Sequence, residues 1–212
     1  MSERDVMEYD VAVIGAGPAG LAYAIRLKQI NPERMICVLE KGSEVGAHAL
    51  SGAVLEPGSL DELLPEWRQN PPAICVPAKD DVFLKLSKTG AMKLPTPPQQ
   101  NNHGNFIISQ GQLTKWMADQ AEALEVDIFP GFAGAEALFG ENNEVIGVRV
   151  GDMGLESDGT PGPAYTAGVD IHAKLTVLAE GCRGSITKQL IKRYELDAGK
   201  SPQTYGLGFK EL

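Results

Sequence analysis

The sequence predicts an α/β fold whose first part binds a dinucleotide, and three features of its first 40 residues support this. Residues 11–14 form a short apolar run, which is typical of a buried parallel strand. The glycine-rich turn GAGPAG (15–20) follows at once, and a helix is predicted over 21–29. A second apolar run, 35–39, ends in Glu40. This order predicts a Rossmann-like unit; the alternative is a glycine turn in an unrelated βα unit.

Each residue type in this pattern has a physical task in binding a dinucleotide. Gly15 makes the tight turn, and Gly17 lets the backbone approach a pyrophosphate, whose charge meets the free N–H groups at the helix N-terminus. Gly20 lets the helix pack closely on the strand. Glu40 follows Gly20 by 20 residues, where a carboxylate can accept hydrogen bonds from an adenosine ribose.

Composition excludes several other functions. The chain has 212 residues and a formal net charge of −9, so it repels nucleic acid. Its three cysteines, Cys37, Cys75 and Cys182, form no CxxC pair, and its three histidines are scattered, so no metal site is predicted. An odd number of cysteines without a signal peptide fits a reducing compartment. No apolar run is long enough to span a membrane, which leaves peripheral attachment open.

The elements after Glu40 begin with a glycine-rich loop and a short helix that starts at Ser59, the predicted N-cap. Segments 82–86 and 91–94 then predict a β-hairpin that interrupts the alternation of strands and helices. The remaining predictions are a helix over 112–125, a strand over 126–129, a β-meander of 135–139 and 145–150, a surface loop over 151–168, strands over 169–172 and 174–179, and a helix over 185–194.

The run LTVLAEGCRGS (175–185) resembles the second fingerprint of flavoproteins of the glutathione-reductase/hydroxylase type. Together with the glycine turn and Glu40, this resemblance favours FAD over NAD, and Glu40 would repel the 2′-phosphate of NADP. More narrowly, the chain resembles the N-terminal portion of the electron transfer flavoprotein–ubiquinone oxidoreductase family. The matching stretches are 38–57, 102–109, 118–139, 151–159, 172–196 and 202–212.

The resemblance implies an enzyme that takes electrons from reduced electron transfer flavoprotein and passes them to ubiquinone at a membrane surface. It implies FAD and a 4Fe–4S cluster as cofactors. Electron transfer leaves the chemistry to the cofactors, so no catalytic side chain is predicted. The implied FAD-binding residues are Gly15, Ala16, Gly17, Pro18, Ala19, Gly20, Glu40, Lys41, Ser51, Gly52, Gln110, Ala133, Glu180 and Gly181. Of these, Ser51 and Gly52 would lie near the flavin ring, and Glu180 and Gly181 near the pyrophosphate and ribityl chain.

The chain departs from the family pattern in two respects. A cluster needs four cysteine thiolates, and the family's ligands lie in a C-terminal segment that this chain does not contain. The family carries a longer apolar segment where 95–100 reads PTPPQQ, so membrane contact by this loop is in question. We therefore expect an incomplete enzyme that alone binds FAD weakly or not at all, reduces no quinone, and associates through exposed apolar strands. The expected location is the cytoplasmic side of the inner membrane, bound peripherally.

Two domains are predicted, and alternative functions stay open. Residues 1–72 and 109–190 would form the FAD-binding domain, and 73–108 with 195–212 part of a quinone-side domain. The alternatives are another FAD enzyme of this fold, such as a monooxygenase, a halogenase or a geranylgeranyl-type reductase, or a non-catalytic FAD-binding scaffold. His48 lies in the loop expected to run along the flavin, where we favour a structural role for it.

Overall fold

The computed structural model describes residues 4–49 and 53–206, which form thirteen strands and four α-helices within those ranges. The strands are β1 (Val6–Ile14), β2 (Ile36–Glu40), β3 (Ala53–Leu55), β4 (Cys75–Pro77), β5 (Phe83–Leu86), β6 (Ala91–Leu94), β7 (Phe106–Ile108), β8 (Asp127–Pro130), β9 (Gly134–Phe139), β10 (Val145–Val150), β11 (Met153–Leu155), β12 (Pro161–Thr166) and β13 (Asp170–Leu178). The helices are α1 (Pro18–Ile30), α2 (Gly58–Leu63), α3 (Gln110–Glu122) and α4 (Ser185–Tyr194).

A six-stranded sheet in the order β8-β2-β1-β13-β10-β9 organises the fold. Strands β8, β2, β1 and β13 are parallel. Strand β10 pairs antiparallel with β13, and β9 pairs antiparallel with β10, as the predicted β-meander. Strands β1 and β2 are rich in buried residues because α1 and α3 pack on one of their faces and α4 packs on the other. The predicted Rossmann-like α/β architecture is therefore confirmed.

Alternating residues of the central strands build two separate cores. Val11, Val13 and Val38 face α1 and α3, which cover one side of the sheet together with Trp67. Ala12, Ile14, Cys37 and Leu39 face the other side, where they pack with residues of β10, β13 and α4. This alternation is the period-2 pattern of strands. The parallel register of β1, β2 and β13 brings their carboxyl ends to one edge of the sheet.

The segments between β2 and α3 form two small sheets outside the central one. Strands β3, β7 and β4 pair in that order, and β5 with β6 forms the predicted hairpin, which pairs with no strand of the large sheet. Strand β7, from the predicted second domain, thus pairs with β3, from the predicted first one. The assignment of the two domains stays a prediction.

The structure corrects several predicted element bounds. Helix α1 begins at Pro18 rather than at residue 21, because proline suits the first helical position. Helix α2 begins at Gly58 with Pro57 as its N-cap, so Ser59 is not the cap. Segment 151–168 contains the paired strands β11 and β12, and the two strands predicted over 169–179 are one strand.

Two further observations concern the predicted quinone side and the membrane. No strand is present over 195–206, and residues 207–212 of the predicted quinone-side segment lie outside the described residues. Among the helices of 4–49 and 53–206, none is both long and apolar enough to cross a membrane.

Candidate functional site

The glycine-rich turn brings the ends of three parallel strands together. Gly15 adopts φ +110°, and a Cβ there would lie 2.5 Å from the carbonyl oxygen of Ala179, just after β13. The Gly15 N–H donates to the carbonyl oxygen of Leu39, at 2.8 Å, and the Ala179 N–H donates to that of Ile14, also at 2.8 Å. Only glycine satisfies both the dihedral and this close approach.

The other two fingerprint glycines have opposite surroundings. A Cβ on Gly20 would lie 2.1 Å from the carbonyl oxygen of Gly15, so this glycine lets α1 pack on the turn. A Cβ on Gly17 would have no atom within 4 Å. Gly17 therefore faces open space at the N-terminus of α1, as a residue must if the backbone is to approach a ligand there.

The carboxylate of Glu40 is bound to backbone on both of its oxygens. Oε2 accepts a hydrogen bond from the Ala16 N–H at 3.2 Å, and Oε1 accepts one from the Gly42 N–H at 2.7 Å. The Glu40 side chain is 14% exposed. The acid at the end of β2 is thus held against the glycine turn, with part of its surface open to the cleft.

A cleft of about 580 Å³ opens at this edge of the sheet, within the size range of cofactor sites. It lies outside the carboxyl ends of the parallel strands, where α/β folds bind nucleotides. It brings together ten of the predicted FAD-binding residues, namely Gly15, Ala16, Gly17, Pro18, Glu40, Lys41, Gln110, Ala133, Glu180 and Gly181. Ala19 and Gly20 lie in the first turn of α1 without lining the cleft. Ser51 and Gly52 lie outside the described residues.

Glu180 lines the cleft, but its carboxylate is engaged by the protein. It accepts hydrogen bonds from the backbone N–H groups of Ile186, at 3.1 Å, and Thr187, at 2.8 Å, and from the Thr187 hydroxyl, at 2.8 Å. These bonds satisfy free N–H groups in the first turn of α4. The neighbouring Gly181, with φ +75° and no atom within 4 Å of a Cβ, presents open backbone instead. Contact of Glu180 itself with a pyrophosphate stays a prediction.

Sequence reasoning missed part of the cleft lining. The additional residues are Ile14, Leu39, Gly46, His48, Ala49, Thr114, Phe132, Gly134, Ala179, Arg183, Gly184 and Ser185. Seven of them lie within two residues of a predicted residue, and this proximity was a usable signal. Thr114 was not signalled, because it enters the cleft only when α3 packs beside α1.

Charges of both signs line the cleft, and the loop beside it is fixed by contacts with other segments of the chain. Lys41 and Arg183 line it together with the two glutamates. The loop 41–49 is held at Gly46, where a Cβ would lie 2.5 Å from the carbonyl oxygen of Gly111 in α3, and at Gly42, whose carbonyl oxygen accepts from the Gly131 N–H at 2.7 Å. Within the described residues, no group of three or more potential metal ligands is assembled. The arrangement suits an anionic dinucleotide, since open backbone, a helix N-terminus and the acid predicted to bind a ribose converge.

Comparison with known proteins supports this interpretation. The family of NAD(P)-binding Rossmann-like domains matches residues 13–67. The chain is 50% identical, over 99% of its length, to an electron transfer flavoprotein-ubiquinone oxidoreductase of Pseudomonas aeruginosa, of which it covers 40%. It is 44% identical, again over 99% of its length, to the mitochondrial protein of that name from Homo sapiens, of which it covers 35%.

A solved structure shares the fold at low identity. The flavin-dependent monooxygenase PieE, in complex with FAD and substrate, matches 87% of this chain with a TM-score of 0.62 and 16% identity, and 32% of that protein is covered. The identities of the two oxidoreductases confirm the resemblance found in the sequence. The chain is therefore a relative of electron transfer flavoprotein–ubiquinone oxidoreductases, and it spans about 35–40% of their length.

Proposed function

We propose, from this relationship and from the cleft, that the chain supplies the FAD-binding region of an electron transfer flavoprotein–ubiquinone oxidoreductase. The observation that carries the proposal is the convergence of the fingerprint turn, Glu40, Gln110, Ala133 and Gly181 on one cleft. These residues come from five separate segments of the chain, yet the resemblance assigned all of them to the same cofactor.

The residues of the cleft have separable tasks in this proposal. The open backbone at Gly17 and the N-terminus of α1 bind the pyrophosphate, whose negative charge the helix dipole stabilises. Glu40, held by Ala16 and Gly42, accepts hydrogen bonds from the adenosine ribose. Lys41 and Arg183 reduce the repulsion between the anionic cofactor and a chain of net charge −9. FAD, when bound, supplies the redox chemistry.

The electron donor and acceptor belong to the same proposal. The names of the relatives support reduced electron transfer flavoprotein as the donor and ubiquinone as the acceptor. We further propose a 4Fe–4S cluster that is held by residues other than Cys37, Cys75 and Cys182. Cys37 is buried, Cys75 is half-buried and Cys182 is exposed, and the three belong to no common cluster of potential ligands in the described part of the chain. Peripheral attachment to the cytoplasmic side of the inner membrane completes the proposal.

Cofactor selection tests the first part directly. The protein is purified in the form that its organism produces and is titrated separately with FAD, NAD and NADP, and bound nucleotide is measured by filtration and by the flavin absorbance spectrum. We expect FAD to be retained in preference to both nicotinamide cofactors. Preferential retention of NAD would contradict the assignment of the cleft.

A second experiment separates the proposed reaction from the alternative that the fold supports. The flavin-dependent monooxygenase PieE shares this fold. A monooxygenase would usually turn over NAD(P)H, whereas an electron-transfer enzyme would not consume a nicotinamide. The experiment uses the FAD-loaded protein in the form that its organism produces, together with a short-chain ubiquinone. One sample receives reduced electron transfer flavoprotein as the electron donor, and the other receives NADPH. We expect quinone reduction with the first donor only. Oxidation of NADPH without quinone reduction would favour a monooxygenase.

A further inference from the structure

A histidine that the fingerprint does not include lies beside the ribose-binding acid. Nδ1 of His48 is 3.9 Å from Oε1 of Glu40, and both residues line the cleft. The His48 side chain is 61% exposed, whereas that of Glu40 is 14% exposed. The imidazole therefore stands at the mouth of the cleft over a carboxylate that is largely removed from water.

The position of His48 is built into the loop that carries it. Gly46 contacts the backbone of Gly111 in α3 so closely that neither residue leaves room for a side chain without a shift. The Ala49 N–H donates to the carbonyl oxygen of Gly46 at 3.0 Å, which closes a turn around His48. A Cβ on Gly42 would lie 3.3 Å from Nδ1 of His48 and 3.1 Å from Oε1 of Glu40. The loop and α3 thus place the imidazole against this carboxylate.

The other charges around the cleft do not occupy the same position. Glu44 of the loop lies 4.0 Å from Lys115 of α3, and the two charges offset each other. Lys41 and Arg183 also line the cleft, but no ion pair joins either of them to Glu40 among the described residues, and the Glu180 carboxylate is bound to the first turn of α4. Among the ion pairs of the described residues, His48 is the side chain that faces the Glu40 carboxylate, and the pair is ionic only when the imidazole is protonated.

We propose that His48 is a positioning residue for the cofactor: its protonated imidazole stabilises the Glu40 carboxylate that receives the ribose, so the cofactor binds more tightly when His48 carries a charge. The physical reason is that a carboxylate and an anionic pyrophosphate repel each other across a partly desolvated cleft, and a cation beside the carboxylate reduces this repulsion. The inference rests on the proposed binding of FAD in this cleft.

The test is the pH dependence of FAD affinity in buffer of about 10 mM ionic strength, where charges are screened least. The dissociation constant is measured between pH 5.5 and 8, the range in which histidine side chains change charge. We expect the protein to bind FAD about two- to fourfold more tightly at pH 5.5 than at pH 8, as for a partly exposed ion pair. Circular dichroism at each pH checks that the protein stays folded.

Three variants separate His48 from other causes of a pH effect. His48→Gln should bind at the weaker level at every pH, and His48→Lys, which keeps a cation there, should bind at the tighter level at every pH. The matched control is His172→Gln, because His172 also faces a glutamate, with Nδ1 3.4 Å from Oε1 of Glu8 on neighbouring strands. This control should reproduce the profile of the unchanged protein.

Two results would overturn the inference while leaving FAD binding intact. One is a His48→Gln profile identical to that of the unchanged protein. The other is looser binding at low pH that His48→Gln abolishes, which would mean that His48 competes with the ribose for Glu40. Failure of every variant to retain FAD at any pH would instead overturn the proposed function, and this inference with it.

Discussion

The backbone N–H of Ala16 donates a hydrogen bond to Oε2 of Glu40 over 3.2 Å, although the two residues are 24 positions apart in the chain. The bond joins the glycine turn after β1 to the end of β2, the two features from which the sequence predicts dinucleotide binding. Each is weak evidence alone, since a glycine turn and an acid at a strand end are common. Their direct contact makes them parts of one site.

Gly17→Val should abolish FAD binding and leave the fold intact. No atom lies within 4 Å of a Cβ at Gly17, so a branched side chain would extend into the cleft where the pyrophosphate must approach the backbone. We expect at least a tenfold loss of FAD affinity, about 1.4 kcal/mol, with little change in the free energy of unfolding. Filtration with FAD and urea denaturation measure the two quantities.

Gly20→Ala is the matched control, because it alters the same turn at a position where a Cβ meets packed backbone, whereas a Cβ at Gly17 meets open space. Its Cβ would lie 2.1 Å from the carbonyl oxygen of Gly15, so the change should destabilise the fold by about 1–3 kcal/mol. If Gly17→Val lowered the free energy of unfolding as much as Gly20→Ala, its loss of FAD affinity would be explained by a damaged fold and not by a blocked cleft.

Glu180→Ala should destabilise the protein through α4. The Glu180 carboxylate accepts from two backbone N–H groups in the first turn of this helix and from the Thr187 hydroxyl. Removing these acceptors should lower the free energy of unfolding by about 1–2 kcal/mol in urea denaturation. Glu141→Ala, at an exposed turn, is the control and should change stability by less than about 0.5 kcal/mol. Equal stability of the two variants would show that the hydrogen bonds of Glu180 to α4 contribute nothing to the free energy of unfolding.

The Asp170–Arg149 pair should make stability depend on pH in the acid range. Hydrogen bonds from Nε and Nη2 of Arg149, both at 2.8 Å, hold the pKa of the Asp170 carboxyl below its usual value. Because the folded pKa is depressed, this stabilisation is present above about pH 4, where the unfolded carboxylate ionises, and is lost as the pH falls through the folded pKa.

The corresponding variant is Asp170→Asn, which keeps the shape and removes the charge. Since Arg149 is 36% exposed, we expect a loss of only about 1 kcal/mol at pH 7, and a difference from the unchanged protein that vanishes near pH 2. Urea denaturation across this range measures it, with the exposed Asp80→Asn as the control. A difference that stayed constant down to pH 2 would show that packing, and not charge, is responsible.

The three cysteines should react with thiol reagents in the order of their exposure. Burial raises the pKa of the Cys37 thiol to about 12 and also raises that of the half-buried Cys75, so neither readily forms the reactive thiolate. Cys182 is exposed, and we expect one fast-reacting thiol in the folded protein, which Cys182→Ser removes. Labelling with a chromogenic disulfide follows the kinetics. Fast labelling of two thiols would contradict the burial of Cys75 or Cys37.

The sequence by itself determined the features that depend on local patterns. The glycine turn, the acid after β2, the β5–β6 hairpin and the bounds of α4, predicted as 185–194 and observed as Ser185–Tyr194, follow from residues that are close in the chain. Apolar periodicity and glycine positions act over a few residues, so they can be interpreted without a structure, whereas the predicted N-cap at Ser59 was wrong. The long resemblance to known oxidoreductases extended this interpretation to distant segments such as Gln110 and Ala133.

Only the tertiary structure decided which atoms are engaged and which are free. The sequence placed Glu180 beside a cofactor, whereas packing of α4 against β9 brings its helix N-terminus to that carboxylate. Thr114 enters the cleft because α3 packs beside α1, and His48 faces Glu40 because Gly46 contacts Gly111. The last two relationships depend on contacts between segments far apart in sequence, which form together when the chain collapses around the sheet and which no local pattern encodes.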